Sequence, residues 1–306
     1  MPSWTCLNEH PGRPTVWRVD APGVALVIKQ HRHPRPFEQE LRAYRDWLPR
    51  LTLAADDAAR SHAPLAGPPP RTHAGSGSAA RDALLPAAPP HVASARAPTL
   101  LAHDARALAL AIDLAPGARL SLGTHDSTAA RGAHAAAGRF ARALHALAVV
   151  DDDPVPLLDA VSARLAAWHG RAAGLLSPAE RDGLDRLARR RDAFADARRV
   201  ACHRDFTPDN WLLAGASLSV LDFEHARLDA AEVDLVKLRA DVWPAEPALA
   251  DAFLGGYGPL TVDAAARLDV LLGLHAVATL AWAERHDDPA FRALGRRALD
   301  VALASA

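Results

Sequence analysis

The chain passes from short β-branched runs to long helical stripes near residue 116, and that change limits the folds open to it. Before it lie short β-branched and apolar runs. Residues 15–19 (TVWRV) and 24–29 (VALVIK) are separated by Asp20-Ala21-Pro22-Gly23, which predicts a tight hairpin ending at Lys29. Residues 98–102 and 107–114 predict two further strands, the second stopped by Ala115-Pro116-Gly117. After the change, residues 128–149, 157–174, 178–199, 247–256 and 263–284 are rich in Ala, Leu and Arg, with apolar stripes at helical spacing. One short strand pair, at 211–222, interrupts them. A small β-rich front (1–115) and a large helical back (116–306) make an α+β, two-lobe plan.

Directly after the first hairpin, Pro36 suits a first helical turn, and Phe37, Leu41, Tyr44 and Leu48 recur at helical spacing. From about residue 53 to 97 the periodicity stops. That stretch is Ala, Pro, Gly, Ser and His, too poor in apolar surface to offset ordering, and it reads as a mobile low-complexity insertion in the front part.

The formal net charge of −1 gives no support to a nucleic-acid binder that uses its whole surface. Residues 1–115 hold 13 basic and 10 acidic side chains and residues 116–306 hold 22 and 26, so the helical part leans acidic. Two cysteines, Cys6 and Cys202, make no disulfide framework, and the first twenty residues lack an apolar signal core, so a reduced, cytoplasmic protein is expected. The most apolar stretch, 270–283, is interrupted by His275 and falls short of about 30 Å of hydrocarbon; it reads as a buried helix, and no membrane association is expected. The basic residues are lopsided: 33 Arg against two Lys, Lys29 and Lys237, while Asn occurs only at Asn8 and Asn210.

One of those asparagines ends the run His203-Arg204-Asp205-Phe206-Thr207-Pro208-Asp209-Asn210, which has the H-R-D-x-x-x-x-N spacing of a kinase catalytic loop. The hairpin predicted after it returns the chain so that Asp222 lies beside Asn210. Two side-chain oxygens side by side suit Mg2+, which takes few protein ligands and leaves the rest to water and phosphate. Asp205 then precedes the metal pair, where it can accept a hydroxyl proton. Lys29, at the end of an apolar strand, offers a point charge for nucleotide phosphates, and either Glu38 or Glu40 on the next helix is placed to pair with it.

Taken together these pieces resemble the aminoglycoside phosphotransferase and choline kinase group of small-molecule kinases. The likeness rests on VIK at Lys29, FEQELRAY at 37–44, LALAIDLAPG at 108–117, AGRFARALHAL at 137–147, HRDFTPDN, LDFEHA at 221–226 and EVDLVKL at 232–238, in the family's order. It implies a protein-kinase-like fold with the interlobe hinge at 108–117. It also implies Asp205 as catalytic base, Asn210 and Asp222 as Mg2+ ligands, Lys29 as the phosphate-contacting lysine and Glu40 as its partner. Asp234 resembles a structural carboxylate. The implied reaction transfers the γ-phosphate of ATP or GTP to a hydroxyl of a small molecule, first of all an aminoglycoside-type antibiotic, otherwise a choline-like amino alcohol or other hydroxylated metabolite.

The acidic balance of the helical part, with Glu224 and Glu284 near the expected cleft, favours a cationic acceptor. The phosphate-covering loop is expected at 7–16, where Gly12 is the only glycine between two prolines. That poverty motivates the rival reading, a kinase-fold protein that binds nucleotide or a partner without catalysis. Asp222-Phe223-Glu224 in place of D-F-G, and a helical insertion at 150–199 before the loop, point to a small-molecule kinase over a protein kinase. No Walker phosphate loop, G-x-S-x-G or G-x-G-x-x-G is present. His31 and His33 lack further zinc ligands at usable spacing. Asp151 to Asp153 and Arg189 to Arg191 read as solvated faces, and Trp243, Tyr257 and Trp282 as core aromatics before cleft walls.

Overall fold

The computed structural model describes residues 2–9, 13–51, 94–120 and 127–306. Most of the stretch read as an insertion, and Gly12 of the expected phosphate-covering loop, lie outside the described residues.

The front of the chain is a five-stranded antiparallel sheet built from β1 (Ser3–Asn8), β2 (Thr15–Ala21), β3 (Val24–Gln30), β5 (Leu100–Asp104) and β6 (Ala109–Asp113), in the order β1-β2-β3-β6-β5. The hairpin turn falls where the sequence puts it, with Ala21 opposite Val24 and Gly23 at φ +77°, a conformation in which glycine carries no Cβ penalty. Lys29 sits in the central strand, opposite Val16 on one side and Leu110 on the other. The sequence reading missed β1, whose polar, Trp- and Cys-containing run is mostly exposed and carries little hydrophobic alternation. Asn8 Nδ2 donates to the Pro14 carbonyl across the β1–β2 connection at 3.1 Å.

α1 (Pro34–Arg42) follows β3 at once and continues through a π-type turn at Ala43–Trp47. Prolines in its first turn cost no hydrogen bond, and Phe37, Glu40, Ala43, Tyr44 and Trp47 form its buried face.

The second sheet crosses the presumed boundary. β9 (Trp211–Ala214) and β10 (Ser217–Val220) form the expected hairpin, but β4 (Ser94–Arg96) adds in parallel to β10 and β7 (Ala118–Arg119) adds to β9, giving β4-β10-β9-β7. Residues 94–96, inside the stretch read as low complexity, are therefore a strand of the second sheet, made visible only by a partner more than a hundred residues away. A third ladder pairs β8 (Val200–Cys202) with β11 (Arg227–Asp229).

Helices make up the rest: α2 (Ser127–His145), α3 (Leu157–Ala172), α4 (Pro178–Ala188), α5 (Pro247–Tyr257), α6 (Val262–His286) and α7 (Pro289–Leu303). α4 starts in a full capping box, Ser177 and Glu180 each accepting the other's backbone N–H. α6 is 25 residues long and by length and composition alone apolar enough to cross a membrane, longer than the stretch read from the sequence, and most of its apolar part is buried within the lobe. Its left-handed cap at Asp287 turns the chain into α7, a helix the sequence reading did not include.

α2 and α5 approach closely through small residues. Ala133, Ala136, Ala137 and Ala141 are fully buried, and a Cβ added to Gly138 would run into the Phe253 carbonyl of α5. Reciprocally, a Cβ on Gly256 of α5 would run into the Ala135 carbonyl of α2. Backbone cannot yield as a side-chain tip does, so overpacking here costs at least the usual 1–3 kcal/mol, about. Gly138→Ala is therefore expected to lower Tm by several degrees in a calorimetric scan, whereas Gly170→Ala, with nothing within 4 Å of its added Cβ, should leave Tm unchanged or raised. Equal Tm values for the two variants would contradict this packing.

Candidate active site

Residues 203–226 leave and return on one ladder: β8 ends at Cys202, and Arg227 at the start of β11 lies opposite it. At the departure point the buried carboxylate of Asp234 accepts the N–H groups of His203 (2.9 Å) and Arg204 (2.5 Å) and lies 3.0 Å from His145 Nε2. Asp234 thus does the structural work the resemblance implied. Its grip holds Arg204 at φ +67°, a left-handed conformation that costs a non-glycine residue roughly 1 kcal/mol or more. An aromatic floor supports the loop: His203 lies against Phe223 (4.5 Å between centroids), and Phe206 packs edge-on to Trp211 (5.1 Å) and in parallel on Phe140 (6.2 Å).

Asp205 emerges from that floor half-buried. Asn210 Nδ2 donates both to its carbonyl (2.8 Å) and to its Oδ2 (3.0 Å), and the Lys237 ammonium is paired with Oδ1. Burial by itself would raise the carboxyl's pKa, but Lys237 and the Asn210 bond outweigh it and hold the group below the ordinary carboxylate value. Behind Lys237, burial and the same ammonium push His275 of α6 down to about 4, so it is neutral near pH 7. Lys237 carried a signal in the sequence that was not used: it is the second of only two lysines, and the two stand in adjoining clusters.

The β9–β10 hairpin brings up Asp222. Leu221 N–H donates to the Asn210 carbonyl at 2.9 Å, so the residue after Leu221 stands beside Asn210 as the sequence predicts. Asp222 is also left-handed, at φ +67°. Its Oδ1 lies 2.5 Å from Lys29 Nζ, which also reaches Glu40 Oε2 (2.7 Å) and Glu224 Oε2 (3.2 Å). Burial would depress the Lys29 ammonium, but Glu40, Asp222 and Glu224 more than compensate and raise its pKa above the ordinary lysine value.

The open choice between Glu38 and Glu40 is thereby resolved: Glu38 is exposed, while Glu40 is 1% exposed. Glu40 Oε2 also takes His31 Nε2 at 2.8 Å, and its Oε1 accepts the Phe223 N–H at 3.2 Å. His31, Glu40 and Glu224 bring ligand atoms within 4.8 Å of one another, but the Lys29 ammonium already contacts two of the three and supplies the positive charge they require.

The structure brings Lys29, Glu40, Asp222 and Glu224 into one cluster and Asp205, Asn210 and Lys237 into a second that adjoins it through Asn210. Glu224 stands on the lysine side, its Oε2 3.2 Å from Lys29 Nζ. Glu284 does not join either cluster. It is exposed near the end of α6, paired with Arg292, nine residues and so about 14 Å of helix beyond His275. Trp243 is a core residue, half-buried Tyr257 packs against the core with its Oη 2.9 Å from His145 Nδ1, and Trp282 lies on the surface against His286 and Phe291.

The donor set fits a hard divalent cation. Asn210 commits its amide nitrogen to Asp205, which leaves Oδ1 as the side chain's acceptor atom, and Asp222 is a carboxylate whose demand for a positive charge is met here by Lys29.

A sequence model of the phosphotransferase enzyme family matches residues 12–271. No curated protein sequence matches the chain. Among solved structures, the chain is similar to the GDP and kanamycin complex of APH(2")-IIia, with a TM-score of 0.64 and 15% identity over 99% of this chain and 93% of that one. It is also similar to a choline/ethanolamine kinase family protein from Mesorhizobium loti, at 0.60 and 17% over 99% and 87%. A thermostable mutant of aminoglycoside phosphotransferase APH(4)-Ia, in ternary complex with ADP and hygromycin B, gives 0.62 and 13% over 99% and 94%. With the family's sequence pattern running through both lobes and the fold shared with these kinases, the chain belongs to the phosphotransferase enzyme family and is a small-molecule kinase of protein-kinase-like fold.

Proposed function

We propose that the protein transfers the γ-phosphate of ATP or GTP, with Mg2+, to a hydroxyl of a small cationic molecule, with an aminoglycoside-type amino sugar as the first candidate acceptor. The observation that carries this reading is the adjoining pair of clusters: a buried, doubly held ammonium at Lys29 next to Asp222, and an ionised Asp205 beside Asn210. The GDP and ADP complexes of the similar structures support a nucleotide in this cleft, and kanamycin and hygromycin B in two of them support an amino-sugar acceptor. The similarity to a choline/ethanolamine kinase family protein favours an amino alcohol as the second class.

In this reading Lys29 binds nucleotide phosphate oxygens, held in place by Glu40. Asn210 and Asp222 would hold Mg2+, which when bound neutralises charge on the phosphates. Asp205 orients the acceptor hydroxyl. As the acceptor oxygen bonds to the γ-phosphorus, the bridging bond to the β-phosphate breaks, the nucleoside diphosphate leaves, and the hydroxyl proton passes to the Asp205 carboxylate. Because Lys237 keeps Asp205 ionised, its first task is orientation, and it takes the proton only once transfer has made the hydroxyl acidic.

The decisive experiment is a panel of aminoglycosides, amino alcohols and neutral sugars with γ-labelled ATP and GTP. Label transferred to a cationic acceptor bears the reading out, and no transfer to any member alongside intact nucleotide binding would favour the non-catalytic rival. For Asp205→Asn, kcat is expected to drop by about 10² to 10⁴ with nucleotide affinity nearly unchanged; an undiminished kcat would remove the residue from the chemistry.

Lys237→Met removes the charge that outweighs burial at Asp205, so the Asp205 pKa should rise and the acid limb of the kcat/KM profile should move to higher pH. Superposable pH profiles for parent and variant would show that Lys237 does not set that charge.

A further inference from the structure

Beside the two clusters lies a cavity of about 320 Å3 lined by Arg35, Pro36 and Gln39 of α1 and by Arg204, His225 and Arg227. Its charge is out of balance. Asp229, 4% exposed, already takes two guanidiniums: Arg164 binds it bidentately at 3.0 and 3.1 Å, and Arg204 Nη1 meets Oδ2 at 2.5 Å. Arg227 and Arg35 have no carboxylate within salt-bridge distance among the described residues.

Two guanidiniums therefore share the Asp229 carboxylate while Arg227, half-buried, and Arg35 stand beside them unpaired; of the other lining side chains, His225 lies 3.7 Å from Glu224. Burial, reinforced by Arg204, Arg164 and Arg35 and only partly offset by Asp229, depresses the Arg227 pKa to about 10. A guanidinium withdrawn from water without a counter-charge is costly, and its planar fork suits the oxygens of a tetrahedral anion. The side-chain amide of Gln39 and the ring of His225 can add further donors on the same wall.

We propose that this cavity is an oxyanion site, distinct from the nucleotide cleft, which takes a dianionic phosphate- or sulfate-type group through Arg35, Arg204 and Arg227. The ligand is either the free inorganic anion or the phosphate of a small phosphomonoester. The separation from the catalytic residues is set by the backbone. Arg204 and Asp205 are adjacent, but the Arg204 guanidinium turns to Asp229 while the Asp205 carboxylate turns to Lys237 and Asn210. An anion seated here draws on the residue that precedes Asp205, so its occupancy acts on the catalytic loop without entering the cleft.

The site is tested on the full chain by thermal unfolding and calorimetric titration with sodium sulfate, at ionic strength held constant with chloride. Sulfate should raise Tm by at least about 2 °C at saturation, because a ligand that binds only the folded state stabilises it. In Arg35→Gln/Arg227→Gln that rise should vanish while the ATP dissociation constant stays within about threefold of the parent's. Arg35→Gln alone, at an exposed helical position, should fold and weaken sulfate binding by roughly tenfold, the loss of one charge-assisted contact.

No sulfate-dependent rise in the parent, or an undiminished rise in the variants, would overturn the proposal, the latter by locating anion binding elsewhere, including the nucleotide cleft. A parallel titration with glycerol 3-phosphate separates the two sources: tighter binding than sulfate supports a phosphomonoester, and equal binding supports the free anion. None of these readouts involves phosphoryl transfer, so their failure and that of the kinase reaction proposed above are distinguishable.

Discussion

The carboxylate of Glu40 joins the end of the central strand and α1, neighbours in sequence, to a loop 183 residues further on. One oxygen takes Lys29 and His31 from the end of the central strand, and the other takes the Phe223 N–H from the loop that carries Asp222. At 1% exposure, such a charge is tolerable only while its partners are in place, and removing one partner of a buried pair typically costs about 3–5 kcal/mol. The front sheet, α1 and the Asp222 loop are thus tied by one group, and the edge-on contact of Tyr44 with Phe223 packs beside it. Loss of this tie would not simply loosen one side chain; it would release the registration of the sheet against the helical lobe.

A similar economy operates at the loop's other end. Two residues with left-handed backbones, Arg204 and Asp222, flank the segment that carries Asp205 and Asn210, and neither is glycine. Each is kept in that conformation by contacts of its own: Asp234 takes the Arg204 N–H and Asp229 its guanidinium, while Lys29 takes the Asp222 carboxylate. A glycine at either position would relieve the backbone but would lose the side chain that the conformation serves to aim.

Much of this was legible from residue order because it is local. The H-R-D-x-x-x-x-N run, the hairpin that carries Asp222 back to Asn210, and the strand that ends at Lys29 all lie within short spans, where spacing fixes geometry. What could not be read depended on distance. Glu38 and Glu40 are near neighbours on one helix, and only the lobe packed against α1 decides which is buried.

Lys237 reaches Asp205 from a segment more than thirty residues later, although its rarity marked it. β4 is a strand only because β10 lies beside it, and β1 pairs with little hydrophobic alternation of its own. Glu284 was drawn toward the cleft by its charge alone, which says nothing about where a long helix ends. Helix α7 buries a narrow face of Gly295, Ala298, Leu299 and Ala302, and Gly295 lies against Leu280 of α6, a long-range contact that the order of residues does not show.

The meeting of α2 and α5 has a consequence for how this chain can vary. Ordinary core positions drift in pairs, one side chain growing as its neighbour shrinks. At Gly138 and Gly256 that exchange is closed, since each faces the other helix's main chain and the opposing residues have no side-chain volume at the contact to give up. The two positions are frozen separately rather than jointly. The alanines around them can be traded for one another's volume, while the line along which the two helices touch is inherited whole.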